Sequence, residues 1–310
     1  MRVLLTGGCG FVGVNLLSYF RKLPAFECVV LDNLSLGRRE YIADFQAEFV
    51  EGDIRDVDLV NELASRVDAI VHLAAETRVL ESIADPDLNF AVNVAGTYNL
   101  LRAAVRNGHE IFVLASTGGA IIGNAEPPMH ENLVPRPASP YGASKACAEA
   151  YCSAFAQSYD LNSVCLRFSN VYGPNSFHKG SVVATFFRTI LAGKDLTVFG
   201  DGTQTRDFVF AEDLCLAIHR ALGRRLGHEV FQLGSGVETS VNALISYIRD
   251  VVGSDSAVEV VYKPKRKGEI QRSFSDISRA VRDLGYGNLT ELPLGLSKTW
   301  RWFQERAERC

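Results

Sequence analysis

The chain has 310 residues, 47% of them hydrophobic, a formal net charge of −4 and only one short basic stretch, Lys263-Pro264-Lys265-Arg266-Lys267. That balance excludes nucleic acid as the main partner, which would need clustered Lys and Arg to displace counterions. Seven scattered cysteines with no CxxC pair, and six histidines without ligand spacing, argue against a structural metal site and fit a reducing compartment. Met1 runs almost directly into a glycine loop, and no apolar run is long enough to span a bilayer. The expectation is a soluble cytoplasmic protein with no membrane partner, built as one large α/β unit or two lobes sharing a cleft.

In chain order, Arg2–Thr6 reads as a buried strand and residues 10–21 as a helix, with Phe11, Val14, Leu17 and Phe20 at helical spacing. Strands follow at Glu27–Asp32, Ala47–Glu51, residues 69–73 and residues 111–115, with a long helix over 86–107 that ends at Asn107-Gly108. Ser139-Pro140 starts another long helix, with Ser as cap and Pro at the first position, and residues 162–168 form a sixth strand. Short, nearly continuous apolar strands alternating with helices predict a parallel sheet covered on both faces, with ligands at the carboxyl ends of its strands. After Phe168 the rhythm breaks at Gly173-Pro174-Asn175, Gly200-Asp201-Gly202 and Gly234-Ser235-Gly236. A smaller C-terminal lobe over the cleft is expected there.

The first strand ends in TGGCGFVG, with Gly7, Gly10 and Gly13 at every third position. Bare backbone at a strand-to-helix turn lets a pyrophosphate approach the helix N-terminus. Asp32, about twenty residues on, ends the second strand; a carboxylate there accepts from ribose hydroxyls and repels a 2′-phosphate, which favours NAD over NADP. Arg38 and Arg39 lie just beyond and leave NADP open, and Asp32 could equally start a turn before Asn33. Tyr141 and Lys145 lie four apart on one face of their helix. A phenol is a poor base in water; a neighbouring ammonium and a positive nicotinamide ring would lower its pKa and make the pair an acid–base catalyst. A hydroxyl from Ser116 or Thr117, at the end of the fifth strand, could share the proton.

These residues resemble an extended short-chain dehydrogenase/reductase of the UDP-glucose 4-epimerase-like branch. The likeness rests on ten segments in order: TGGCGFVG, LDNLSLG, GDIRD, HLAAETRV, NVAGTYNLL, ASTGGAIIG, SPYGASK, RFSNVYGP, GDGTQTRDFV and RKGE. It implies a Rossmann-type doubly wound parallel sheet over 1–169, with 204–236 returning to it. It implies a sugar-nucleotide-binding lobe from 170–203 and 237–310. It assigns Thr117, Tyr141 and Lys145 as the catalytic triad. NAD would lie against Gly7, Gly10, Phe11, Val12, Asp32, Asn33, Asp53, Ile54, Leu73, Ala74, Ala75, Asn93 and Phe168. The sugar nucleotide would meet Thr77, Ser116, Asn170, Val183, Arg206, Arg266, Glu269 and Ser273, the two arginines clamping its diphosphate.

The implied reaction is C4 epimerisation of a UDP-hexose through a 4-keto sugar, in a homodimer formed by helices 86–107 and 140–159. Related 4,6-dehydratases carry an Asp-Glu pair after the catalytic Thr and decarboxylases a Glu; here Gly118-Gly119 follows Thr117. Ile122 stands where many epimerases have Tyr, and Ser273, at a gate that is bulky in hexose-only relatives, leaves room for a 2-acetamido group. Arg272 beside it would face a substrate carboxylate or, more simply, solvent. Plain, N-acetyl and uronic hexoses all stay open. The rival readings are another sugar-nucleotide oxidoreductase with net hydride transfer, or a dinucleotide-binding protein without catalysis.

Overall fold

The computed structural model describes residues 1–225, 227–253, 259–265 and 270–309. Six strands form as the apolar runs require: β1 (Arg2–Thr6), β2 (Glu27–Asp32), β3 (Ala47–Glu51), β4 (Ala69–His72), β5 (Ile111–Thr117) and β6 (Ser163–Phe168). A seventh, His228–Leu233, joins the edge beside β6. Across the sheet the order is His228–Leu233, β6, β5, β4, β1, β2, β3, and every pair is parallel. The order reverses between β1 and β4, so the crevice for a ligand opens at their carboxyl ends.

Successive strand residues point to opposite faces, and each face is fully covered. Leu5, Val30, Val71, Val113 and Leu166 pack with the helices Phe11–Phe20 and Ala211–Leu222. Leu4, Val29, Ile70, Phe112 and Leu114 pack with the helices Val57–Ala64, Thr97–Arg106 and Pro140–Tyr159. A third apolar core draws on Tyr172, Val183, Phe187, Phe208, Leu244, Ile248 and Phe303. Ala280, Leu284 and Tyr286 join the first core rather than the third. Asp207 ties these regions together: its carboxylate accepts from the backbone N–H groups of Ser235, Gly236 and Ser275.

Three differences from expectation have local causes. β5 continues two residues further, because Ser116 and Thr117 pair with Arg167 and Phe168 on β6. The helix Val57–Ala64, unforeseen in the GDIRD segment, is capped by Asp56, which accepts from the N–H groups of Asp58 and Leu59. The long helix over 86–107 is interrupted: Pro86–Phe90 and Thr97–Arg106 flank a π-helical turn, Ala91–Gly96. Such turns recur at functional sites. The Ser139 cap and Pro140 start stand as expected, with Ser139 Oγ accepting from Gly142 N–H. Among the described residues, no helix is long and apolar enough to cross a membrane.

Candidate active site

The turn after β1 is built on bare backbone. Gly7 has φ +70°, and a Cβ there would lie 2.6 Å from Ala74 N, so the turns after β1 and β4 touch. A Cβ on Gly13 would lie 2.5 Å from Gly8 Cα. Gly10 caps the helix Phe11–Phe20 without a side-chain acceptor, which leaves the first-turn N–H groups, those of Phe11 and Val12 included, to face an anion. Asp32 is buried at the end of β2, accepting from Cys9 N–H at 2.9 Å and Leu34 N–H at 2.8 Å. It does start a turn, and its loss of water pushes its carboxyl up despite those bonds. Asn33 donates to Asp53, and Arg55 clamps Asp53 and lowers it to about 2. Ile54 is buried and packs on Gly96. Leu73 N–H bonds Thr6 O and Ala74 N–H bonds Thr6 Oγ1, with Ala75 next along the same half-buried loop. A bare glycine cradle at a helix start, with a carboxylate at the neighbouring strand end, suits a dinucleotide.

Polar residues in the core hold this frame. Thr97 Oγ1 donates to Asn93 O, which leaves His72 Nε2 to donate to Thr97 and His72 Nδ1 to accept from Thr6. Burial, with the charge of Lys145, pushes His72 well down and keeps it neutral. Asn93 sits in the π-helical turn. It accepts from Glu76 N–H at 2.8 Å and donates to Glu76 O at 2.9 Å and to Ser144 Oγ at 3.0 Å. The loop after β4 is thereby fixed to the helix that carries Tyr141.

Thr117, Tyr141 and Lys145 come together. The Thr117 hydroxyl lies close enough to the Tyr141 phenol to act on its proton, and Lys145 Nζ donates to Ala115 O at 2.9 Å. In the chain alone burial pushes Tyr141 up to about 12, with the Thr117 hydroxyl opposing it; the charge of a positive nicotinamide ring would act against that burial. The Lys145 ammonium, spent on the β5 carbonyl and itself pushed down to about 8 by burial, does not by itself offset that loss of water. Ser116 is also settled: its hydroxyl donates to buried Glu149 at 2.6 Å, away from Tyr141. Phe168 is the register partner of Thr117.

Asn170, Val183 and Arg206 line one cavity of about 280 Å³, together with Phe199 and Gln204. Arg206 Nη1 donates to Thr205 O and Ile270 O. Arg266 and Glu269 lie outside the described residues. Ser273 stands beside the turn after Thr117; a Cβ on Gly119 would be 3.7 Å from its Oγ. Thr77 is exposed on the loop after β4 and is not among the residues lining that cavity. Arg272 is exposed at the surface and makes a two-pronged pair with Glu238, at 2.8 Å for both bonds, holding Glu238 down to about 2. Ile122 is buried. Sequence reasoning missed His72, Thr97, Glu149, Arg167 and Glu238. Glu149 alone carried a visible signal, lying four residues beyond Lys145.

The NAD dependent epimerase/dehydratase family matches residues 3–234. A UDP-glucose 4-epimerase of Mycolicibacterium smegmatis is 38% identical, over 99% of this chain and 100% of its own length. Among solved structures, UDP-glucose 4-epimerase of Thermotoga maritima, determined with UDP-glucose, superposes with a TM-score of 0.93 at 34% identity, covering 99% of this chain and 100% of the other. A dTDP-glucose 4,6-dehydratase of Streptomyces venezuelae, determined with NAD, does so with a TM-score of 0.90 at 34% identity, covering 100% and 98%.

Proposed function

This chain belongs to the NAD-dependent epimerase/dehydratase family, and we propose that its reaction is C4 epimerisation of a UDP-hexose through a 4-keto sugar. The observation that carries the choice is the site around Thr117: the hydroxyl lies beside Tyr141, and Gly118-Gly119 follow where a dehydratase needs an acid–base pair. Bound NAD supplies the hydride acceptor and donor for the sugar C4. Tyr141 exchanges a proton with the 4-hydroxyl, and Thr117 bridges the two oxygens. Burial favours the neutral phenol, and the positive charge of Lys145 together with that of the bound nicotinamide ring would offset it to give the phenolate that takes the 4-hydroxyl proton. Arg206 and Asn170 in their shared cavity hold the nucleotide diphosphate, leaving the hexose free to turn beside Gly119 and Ser273. A second copy of the chain packs on the helices spanning 86–106 and 140–159, where Phe90, Tyr98 and Tyr151 are exposed.

The test is to incubate purified protein separately with UDP-glucose, UDP-N-acetylglucosamine and UDP-glucuronate and to separate the products. The 4-epimer should accumulate with no net consumption of added NADH. Stoichiometric NADH consumption, or a 4-keto-6-deoxy product, would overturn the proposal. Tyr141→Phe should lower kcat by about 10²–10⁴-fold while leaving bound NAD in place; normal turnover would remove Tyr141 from the mechanism.

A further inference from the structure

Behind the Thr117–Tyr141 pair lies a buried polar row with no part in the chemistry described so far. Ser116, Arg167 and Gln232 are register partners on three adjacent strands. They are 4%, 4% and 0% exposed, so the row is sealed from solvent. Glu149, from the helix Pro140–Tyr159, closes the row. It accepts from Ser116 Oγ at 2.6 Å, from Arg167 Nε at 2.9 Å and from Arg167 Nη2 at 2.7 Å. The row abuts the catalytic turn, since a Cβ on Gly118 would lie 2.4 Å from Gln232 Oε1.

Three consecutive residues of β5 thus engage three residues of one helix, spaced four apart. Ala115 O holds Lys145, Ser116 holds Glu149 and Thr117 faces Tyr141. That spacing puts the three partners on one helical face, a turn apart. A buried ion pair is weak evidence for stability, because apolar residues of similar volume often serve the fold as well.

We propose that Glu149, held by Arg167 and Ser116, is a positioning residue for catalysis: one helical turn from Lys145, it fixes the β5 end that presents Thr117 and the Ala115 carbonyl holding Lys145. The inference rests on the reading of Tyr141 as the proton-exchanging group. The titratable groups facing Lys145 are Glu149 on its own helix, Cys152 on the same helix, Cys165 on β6 and His72 on β4. Glu131 and His228 also act on the Arg167–Glu149 pair. Burial pushes Lys145 down and Glu149 pushes it back up. Without the carboxylate, Lys145 loses its proton at lower pH.

The experiment compares kcat against pH for the wild type, Glu149→Gln and the double variant Glu149→Gln/Arg167→Gln, which removes the guanidinium that the single variant leaves buried and unpaired should that variant fail to fold. The alkaline limb should move about one unit toward acid, an extra loss of about fourfold near pH 8 relative to pH 6.5. A merely structural role would lower kcat by one factor at every pH. Profiles of unchanged shape, in an enzyme whose wild type interconverts UDP-sugars, overturn this inference alone. A wild type that interconverts none overturns it together with the proposed function.

Discussion

Replacing Gly7 by Ala separates two costs that usually arrive together. Gly7 and Gly108 share the left-handed backbone, at φ +70° and +65°. A Cβ at Gly108 meets nothing within 4 Å, whereas at Gly7 it would lie 2.6 Å from Ala74 N, 2.8 Å from Ala74 Cα and 2.9 Å from Leu73 C. All three are backbone atoms and cannot rotate aside. Gly108→Ala should therefore cost only the left-handed penalty, about 1–2 kcal/mol. Gly7→Ala adds an overpacking term of about 1–3 kcal/mol, because β1 and β4 must part at their ends. For a chain of this length each kcal/mol moves the melting point by roughly 1.5 °C. Thermal melts should then show shifts of about 2 °C for Gly108→Ala and about 3–7 °C for Gly7→Ala. The same displacement should strip NAD from Gly7→Ala, read as cofactor released per chain on denaturation, and leave Gly108→Ala loaded. Equal melting shifts and equal NAD content would refute the argument that backbone contact dominates at Gly7.

Asp32→Ala should weaken NAD by at least tenfold in a fluorescence titration, because charged hydrogen bonds contribute about 1.5–3 kcal/mol each; unchanged affinity would remove Asp32 from the ribose site. Above about pH 9 the buried thiols and phenol work against stability. Burial lifts the thiols of Cys9 and Cys28 from 9.0 to about 12 and the Tyr141 phenol from 10.0 to about 12, so the unfolded chain releases these protons first. The folded state then binds more protons, and the stability present below the unfolded values is lost through the folded ones. Lys145 and Lys179, lowered to about 8, act in the opposite sense between 8 and 10.5. The thiol's part is isolated by comparison: Cys28→Ala should lose less of its urea midpoint than the wild type between about pH 9 and 11, and a constant difference between the two across that range would contradict the assignment.

The glycine loop, Asp32 and the Tyr141–Lys145 spacing were legible because each is local: a turn, a strand end, one helical face. Their surroundings were not. Whether Ser116 or Thr117 meets the phenol depends on the pleat of β5, which turns one hydroxyl toward Glu149 and the next toward Tyr141. The burial of the Tyr141 phenol was hidden because spacing reveals proximity but not loss of water. Arg272 is the surface cation its sequence context suggests, and only its partner, Glu238, 34 residues away, escapes any spacing. Polar links such as Thr6–His72–Thr97 join segments up to 66 residues apart, and no periodicity encodes them.

The π-helical turn over Ala91–Gly96 makes this stretch intolerant of length changes. An α-helix advances about 100° per residue. Deleting one residue upstream of Asn93 within the turn would restore regular winding and swing its carboxamide about a quarter of a revolution away from Glu76 and Ser144. Within the turn Asn93 is held by its bonds and Gly96 by its contact with Ile54, and a single-codon insertion or deletion there would unhook the loop after β4 from the helix bearing Tyr141.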